Sequence, residues 1–327
     1  MKIAIMGKDA TWLVEKIEWS GDKTQAARKL EVTLIQDDRD KKIPVLDLDV
    51  GYTVQGFTEL DQLVFVGNVY ELERDRAKST VKLTCFDHLF VLNRSKTTRK
   101  FTNALPEDIA VQICNEMGVK PGNIAQTGIP VSFIANAKTG YQIILGAYTE
   151  AHKKNEKQYQ LLMNGEVLDV IEKGTLIDYK LDSARNMDGS VYKESITELV
   201  NRVLVVDDKG NIVGETIDDT ESQEKYSRFQ TVYKQQKDKD TQTEAKDLLT
   251  KPKREGHVTC LGDYQCVTGF SVVIKDGNFN GQFWIESDSH SFEDNFHEMK
   301  LKLEFENLMV EEKVETEKPT SKKKEAS

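Results

Sequence analysis

The sequence lacks the features that mark a membrane protein or an exported one. Its 327 residues contain no apolar run of about 18 residues, the length that a membrane-spanning helix needs. No basic start leads into an apolar segment, as an export signal would require. The four cysteines do not have the dense spacing of a disulfide scaffold. We therefore expect a protein that assembles in a reducing cytoplasm and has no membrane partner.

Catalytic motifs are also absent. There is no G-x-S-x-G, no phosphate-cradling loop and no Rossmann glycine pattern. The 55 acidic residues allow many acid–base pairs, but spacing singles out none of them. A zinc site could be drawn from His257, Cys260 and Cys266, or from His290 and His297, but no C-x-x-C or H-E-x-x-H spacing supports one. We predict no enzymatic activity, no cofactor and no metal.

An excess of positive charge is missing as well. The formal net charge is -10, from 45 basic and 55 acidic residues. A protein that grips nucleic acid normally carries a basic face that displaces counterions. We therefore predict no sequence-specific nucleic-acid partner. The length suffices for two or three domains, each with its own core.

A long β pattern occupies residues 257–306. The apolar run 270–274 is followed by a turn at 276–278, and the segment ends in strict alternation. Period-two alternation places one face of a strand in a core and the other in water. The inward residues are predicted to be Met299, Leu301, Leu303 and Phe305, and the outward ones Lys300, Lys302, Glu304 and Glu306.

The same pattern occurs earlier, in residues 48–87. There a strand ends near Gly67, a charged turn follows, and Val81, Leu83 and Cys85 alternate with polar residues. Two copies of one β-meander, roughly 200 residues apart, indicate an internal duplication. Earlier strands are predicted within residues 10–20 and 30–34. Their tryptophans, Trp12 and Trp19, are predicted to cap the core rather than to anchor a partner.

Between the two copies the pattern changes. Residues 94–103 read as a basic loop, and a helix is predicted from Pro106 to the glycine at 118. A second helix is predicted after Thr139, and a hairpin around Asn164-Gly165. Residues 104–180 are therefore expected to form a compact α/β insertion.

These patterns predict a mainly β protein with an α+β insertion between two related small β-barrel domains. After residue 183 a hairpin is expected around 207–211 and a short helix around 244–249. Beyond residue 307 few large apolar residues remain, which is typical of a disordered segment. The predicted domains are residues 1–95 (first β-barrel), 96–182 (insertion), 183–307 (second β-barrel) and 308–327 (disordered charged tail).

The order of these features resembles the baseplate hub proteins of contractile phage tails and phage-tail-like particles. The likeness is greatest to the shorter hubs of Gram-positive prophages, related to the late control protein D group. It rests on short motifs that occur in order along the chain, and these include the segments 67–69, 85–87, 195–197, 201–203 and 261–263. The motif residues singled out are Gly67, Asp87, Gly262, Asp263, Gly269 and His290.

The resemblance implies a homotrimer in the assembled particle, in which each chain contributes two related β-barrels to a pseudo-sixfold ring. Such a ring lies between the hexameric tail tube and a threefold central spike. The implied partners are the tail tube protein, the central spike protein and the baseplate wedge and tape-measure proteins. The implied location is the baseplate of a virion or phage-tail-like particle that is assembled in the bacterial cytoplasm. The alternative is a peptidoglycan-processing or peptidoglycan-binding tail protein with residues 104–180 as its working module.

Overall fold

The chain divides into two compact units in the computed structural model. The larger unit comprises residues 1–190 together with those from 257 on, and the smaller comprises Val191–Gly256. The described residues are 1–37, 39, 43, 46–213, 216–236, 240–294 and 296–315.

Strands dominate the described part of the chain, which confirms the prediction of a mainly β protein. The first β unit contains β1 (Lys2–Ile5), β2 (Lys8–Asp9), a 3₁₀ turn (Thr11–Leu13), β3 (Val14–Asp22), β4 (Gln25–Ile35), β5 (Thr53–Phe57), β6 (Leu63–Asp75) and β7 (Thr80–Asp87). The middle region contains α1 (Leu89–Arg94), β8 (Lys96–Ala104), α2 (Pro106–Glu116), β9 (Lys120–Ile124), β10 (Val131–Thr139), α3 (Gly140–Asn155), β11 (Tyr159–Asn164) and β12 (Val167–Glu172). The remaining elements are β13 (Leu176–Asp182), β14 (Met187–Ser195), β15 (Arg202–Val206), β16 (Ile217–Asp218), α4 (Thr220–Tyr226), β17 (Gln230–Lys234), α5 (Thr241–Lys246), β18 (Lys253–Leu261), β19 (Ser271–Lys275), β20 (Asn280–Glu293) and β21 (Phe296–Glu304).

Alternating side chains build the core of the first β unit. On β7, Val81, Leu83 and Cys85 are at most 2% exposed. Lys82, on the other face, keeps 43% of its side chain exposed and pairs with Glu31 at 2.7 Å. Burying one such apolar side chain contributes about 1.5–3 kcal/mol. The period-two pattern therefore fixes which face of the sheet is the core, as predicted.

The second β unit, formed by β14 and β18–β21, repeats the strand order of the first. The first unit has the order β3-β4-β7-β6-β5, and the second has β14-β18-β21-β20-β19. In both long hairpins the register shifts once, after Val69 in β6 and after Ile285 in β20. Leu83 and Leu301 occupy equivalent positions beyond these bulges, and both are buried. Strand order and bulge position agree with the predicted duplication.

The two β units share one continuous sheet. Antiparallel pairing of β20 with β3 runs from Ser287 opposite Asp22 to Glu293 opposite Lys16. Among the described strands, the pairings close neither unit into a barrel. The expected small closed barrels are therefore not observed, because the edge of β20 beyond its bulge pairs with the neighbouring unit.

The two predicted helices of the middle region are confirmed. Pro106 occupies the start of α2, where its missing N–H is not needed. A capping box starts α3: the Thr139 hydroxyl accepts from the N–H of Gln142 at 3.2 Å, and the Gln142 side chain accepts from the N–H of Thr139 at 3.1 Å. The predicted hairpin is β11 paired with β12. No helix in the described ranges is long and apolar enough to cross a membrane.

The segment 94–103 is not the loop that its basic composition predicted. Most of it forms β8, which pairs antiparallel with β10. Phe101 is 6% exposed and packs against Phe133 of β10, with ring centroids 5.1 Å apart. Pairing with a strand distant in sequence overrides the polar local composition.

The chain that connects β14 to β18 forms the small unit, Val191–Gly256, which also includes the end of β14 and the start of β18. The equivalent strands of the first β unit, β3 and β4, are joined by a short turn. The small unit contains the sheet β16-β15-β17, and its core is formed by Val203, Val205, Tyr233 and Ala245. The predicted hairpin at 207–211 and the predicted helix, α5, are present, whereas α4 was not expected. The predicted domain boundaries after residues 95 and 182 stay predictions.

The burial predicted from the sequence is wrong for two residues, Trp12 and Glu304. Trp12 is 61% exposed, because the 3₁₀ turn buries its neighbour Leu13 instead; Trp19 is 3% exposed, as predicted. Glu304, predicted to face water, is 7% exposed. Its burial is compensated because Nζ of Lys173 donates to its carboxylate at 2.6 Å.

Residues 308–315 pack against the middle region, in contrast to the disordered tail predicted from residue 308 on. Met309 is 8% exposed and joins the core of that region. Glu312 pairs with Lys138 at 2.7 Å. A few anchoring side chains are enough to order a segment of low apolar content. The rest of the predicted tail, 316–327, lies outside the described residues.

Candidate functional site

The two β units meet at a joint, defined here as the seven residue pairs between β20 and β3. On the inward face of this joint, Phe292 of β20 shares a core cluster with Ile17 and Trp19 of β3. The joint fixes how one β unit is set against the other. In a protein without a catalytic motif, such a fixed geometry between repeated units is the candidate functional feature.

A buried ion pair crosses the joint. Nη1 of Arg28, on β4, bonds Oδ1 of Asp288 at 2.9 Å, and Nη2 bonds Oδ2 at 2.5 Å. The side chain of Asp288 is 0% exposed and that of Arg28 is 14% exposed. Thr268 donates both its N–H and its hydroxyl to the same carboxylate, each at 2.7 Å. A bidentate pair whose carboxylate is further hydrogen-bonded is a strong and directional link.

Gly21 lets the ion pair span three strands. It lies opposite Asp288 in the β20–β3 pairing. A Cβ on Gly21 would be 2.3 Å from Nη1 of Arg28 and 3.2 Å from Oδ1 of Asp288. The guanidinium therefore passes over β3 where the strand has no side chain. Gly21 and Asp22 lie outside the strands predicted within residues 10–20 and 30–34, but in the structure they are part of β3.

Two histidines extend the buried site. The ring centroids of His290 and Trp19 are 5.0 Å apart. The guanidinium carbon of Arg28 lies over the Trp19 ring, 4.1 Å from its centroid. Nε2 of His290 lies 3.1 Å from the carbonyl oxygen of Cys266, and its Nδ1 lies 2.9 Å from Nε2 of His297. In the tautomer that fits these contacts, His290 donates to Cys266 and accepts from His297.

The surroundings fix the charge state of two of these groups. Burial lowers the pKa of His297 to about 3, and His290 adds to the effect. Burial alone would raise the pKa of Asp288, but Arg28 and His290 together outweigh burial and hold that pKa below its ordinary value. At neutral pH Asp288 is therefore ionised and His297, beside the joint, is neutral.

Two of the predicted motif residues, Asp87 and Gly67, support Arg28: Asp87 bonds its backbone, and Gly67 is the strand partner of Asp87. Oδ2 of Asp87 accepts from the N–H of Arg28 at 3.1 Å, and Oδ1 accepts from the N–H of Leu89 at 3.1 Å. Burial raises the pKa of Asp87 to about 7. Gly67 pairs with Asp87 between β6 and β7, and a Cβ on it would be 2.2 Å from the carbonyl oxygen of Phe86. Asp87 thus holds the backbone of the residue whose side chain crosses the joint.

The other four motif residues lie at or beside the joint. A Cβ on Gly262 would overlap the ring of His297 at 2.1 Å, so the glycine makes room for the partner of His290. Gly269, with φ +92°, directly follows the threonine that bonds the buried carboxylate. Asp263 accepts backbone N–H bonds within a turn. Whether these residues form a functional motif stays a prediction.

The histidines near the joint are engaged in hydrogen bonds, and the cysteines near it are buried. Within the described residues, no group of three His, Cys, Asp or Glu side chains is placed to hold a metal ion. His290 and His297 bond each other. Burial raises the pKa of the Cys260 thiol to about 12, so the thiolate that zinc would bind is disfavoured.

Sequence reasoning missed the ion pair. Arg28 and Asp288 are 260 residues apart, so no local spacing connects them. One signal was available: on β20, Asp288, His290 and Phe292 alternate and therefore share the inward face. A carboxylate at a core position needs a partner, and that requirement could have marked Asp288.

The comparisons with known proteins agree with this fold. The sequence profile of the YQBQ-like family matches residues 17–304. The chain is 24% identical to the phage-like element PBSX protein XkdQ of Bacillus subtilis (strain 168), over 93% of this chain and 97% of that protein. Its fold is similar to that of the 43 kDa tail protein of prophage MuSo2 from Shewanella oneidensis, with a TM-score of 0.70 at 14% identity, covering 93% of this chain and 97% of that one.

A second structural match is the E. coli c3393 protein. It is a component of the type VI secretion system and is described as similar to the T4 bacteriophage tail proteins gp27 and gp5; the TM-score is 0.58 at 10% identity, over 95% of this chain and 79% of that one. The resemblance to phage baseplate proteins drawn from the sequence is therefore confirmed. The chain belongs to the YQBQ-like family and has the fold of a phage tail protein.

Proposed function

We propose that the protein is the structural hub of a contractile-tail baseplate, in which three copies form a ring of six β units. The ring adapts a sixfold tail tube to a threefold central spike. The observation that carries the proposal is the repeated strand order within one chain. Three chains with two similar units each present six near-equivalent surfaces on one side of a ring and three on the other.

The strand edges support this arrangement. Beyond its bulge β20 pairs with β3. The equivalent residues of β6, Glu71–Asp75, pair with β7 on one side, but their other edge has no strand partner in the part of the chain that the structure describes. β14, the equivalent of β3, is the last strand of the described sheet. An unpaired edge is a template for strand addition. Pairing β14 of one copy with β6 of the next repeats the intrachain joint, and three such contacts close the ring.

In this proposal the partners are the tail tube protein on one face and the central spike protein on the other, with baseplate wedge and tape-measure proteins in the same particle. The protein is then located in the baseplate of a virion or of a phage-tail-like particle. Given the net charge of -10, the lumen is expected to be neutral or acidic, so that it does not hold DNA by charge attraction. XkdQ is named as a protein of a phage-like element, and that name agrees with a virion as well as with a phage-tail-like particle.

The hub is proposed to act without catalysis. The matched relatives named above are tail and secretion-system proteins, and this favours a structural role over wall processing. The alternative, with residues 104–180 as a peptidoglycan module, has no such support. A turbidity assay on purified cell walls separates the two roles, because the hub alone is expected to leave the walls intact.

Cross-linking of the two open edges tests the ring. Glu73→Cys on β6 and Lys193→Cys on β14 place the only exposed thiols there, since all four native cysteines are buried. A short bis-maleimide added to assembled particles should give covalent products that end at three chains. Glu73→Cys with Lys153→Cys on α3 is the matched control and should give none. Products longer than three chains, or no interchain product from the edge pair, would contradict the proposal.

A further inference from the structure

We propose that the buried cluster of Arg28, Asp288 and His290 selects which strand edges pair. The cluster directs β20 to β3 and leaves β6 to β14 of a second copy. The first pairing is observed within the chain, and the second rests on the proposed function. In a ring of repeated units this selection decides that intrachain and interchain joints alternate.

The edges of β6 and β20 have the same backbone register but different side chains. Leu72 pairs with Leu83 just beyond the bulge of β6, as Asp288 pairs with Leu301 just beyond the bulge of β20. Leu72 is therefore equivalent to Asp288, and Arg74 is equivalent to His290. One edge offers an aliphatic group and a cation, and the other offers a carboxylate and an imidazole.

Each wrong combination leaves a buried charge without its partner. If β20 paired with β14 of a second copy, Asp288 would be removed from Arg28. If β6 paired with β3, Leu72 would face Arg28 and the guanidinium of Arg74 would approach a like charge. Separating a buried ion pair shifts such a pairing equilibrium by roughly a hundredfold or more. Only the combinations β20–β3 and β6–β14 avoid this penalty.

The contacts around the ion pair require the carboxylate to occupy one particular position on β20. Arg28 reaches Asp288 only across Gly21, where a Cβ would meet the guanidinium at 2.3 Å. The second carboxylate contact comes from Thr268, at 2.7 Å for both its N–H and its hydroxyl. A carboxylate one residue away on β20 would face the opposite side of the sheet. The cluster therefore recognises one edge in one register.

Exchange of the two selecting residues tests the inference without changing composition. In the structure Ser20 of β3 faces Ser289 of β20, and Glu73 is the residue of β6 equivalent to Ser289. Chains with Ser20→Cys and Glu73→Cys report the wrong pairing, because facing residues of antiparallel strands lie about 4.5–5.5 Å apart, within reach of a disulfide. The chains are refolded together from urea in a thiol–disulfide buffer, so that both edges compete for β3.

In that cysteine background, exchange of the selector by Leu72→Asp with Asp288→Leu should raise interchain disulfides at least tenfold. The matched control changes the neighbouring position on both strands to the same neutral residue, Glu71→Gln with Ser287→Gln, so that no charge is set opposite Asp22; it should stay at the level of the parent. Equal interchain disulfide in the parent, the control and the exchanged chain would overturn the inference.

A second variant keeps the test decisive if the exchanged chain does not fold. Asp288→Asn retains the shape of the side chain and an acceptor for Thr268 but removes the charge. It should still raise the interchain disulfide above the parent, and no increase overturns the inference. Failure of this inference can be told apart from failure of the proposed function. Unchanged disulfides would contradict the selection of strand edges by the cluster but not the three-chain ring. Another copy number would contradict the ring but not the disulfide result.

Discussion

Replacing Asp288 with alanine tests how much the joint depends on its buried ion pair. The change leaves the guanidinium of Arg28 inside the protein without a counter-charge and removes the acceptor of two Thr268 donors. Breaking a buried pair from one side costs about 3–5 kcal/mol of folding free energy. In a chain longer than about 150 residues, each kcal/mol of lost stability lowers the melting temperature by roughly 2–4 °C. The melting temperature of Asp288→Ala should therefore fall by about 10 °C.

An exposed ion pair serves as the control for this measurement. Lys2 and Asp61 are 2.6 Å apart, as close as many buried pairs, but their side chains are 44% and 78% exposed. Asp61→Asn removes the charge and keeps a residue that tolerates the left-handed backbone at this position, φ +63°. It should therefore cost less than about 1 kcal/mol. Calorimetry of both variants and of Arg28→Met with Asp288→Leu completes the test. The double variant buries no unpaired charge but still leaves the two Thr268 donors without an acceptor, so its melting temperature should lie between those of Asp288→Ala and the wild type. If Asp288→Ala melts within a degree or two of Asp61→Asn, the reasoning about the joint is wrong.

Three further predictions concern the core, the pH dependence and the end of the chain. Leu301→Asp should abolish soluble expression because it buries a charge in the second β unit, whereas Lys302→Asp should stay soluble; the reverse outcome would mean that the register of β21 is off by one residue. In the folded state His297 has a pKa of about 3, whereas in the unfolded chain its pKa is about 6.5. Folding stability should therefore fall as pH drops from about 6.5 towards 3, and His297→Gln should flatten this slope in melting curves. Truncation after Glu315 should leave the melting temperature unchanged, but truncation after Asn307 should lower it by several degrees; equal melting of the two truncated chains would show that the segment between them contributes nothing.

Much of the fold could be predicted because its elements carry local signals. The alternation around Leu83 and Leu301 identifies both core-facing strands, and the proline at 106 marks the start of α2. Repetition of one alternating pattern also indicated the duplication. Such signals depend only on the few residues of one element.

Most of the failures share a physical cause. β8 becomes a strand by pairing with β10, residues 308–315 are ordered by the middle region, and Glu304 is buried because Lys173 meets it. In each case a partner far away in sequence decides the outcome. The ion pair of the joint is the extreme example, since its members are 260 residues apart. A sequence shows that Asp288 lies on an inward face but not which residue compensates it.

Cryo-electron microscopy of the assembled baseplate tests the central claim most directly. The account predicts three copies of this chain in one ring, with β14 of each copy paired to the Glu71–Asp75 edge of the next, so that six β units surround the axis. A ring with another copy number, or three copies that meet through surfaces other than these two edges, would contradict it.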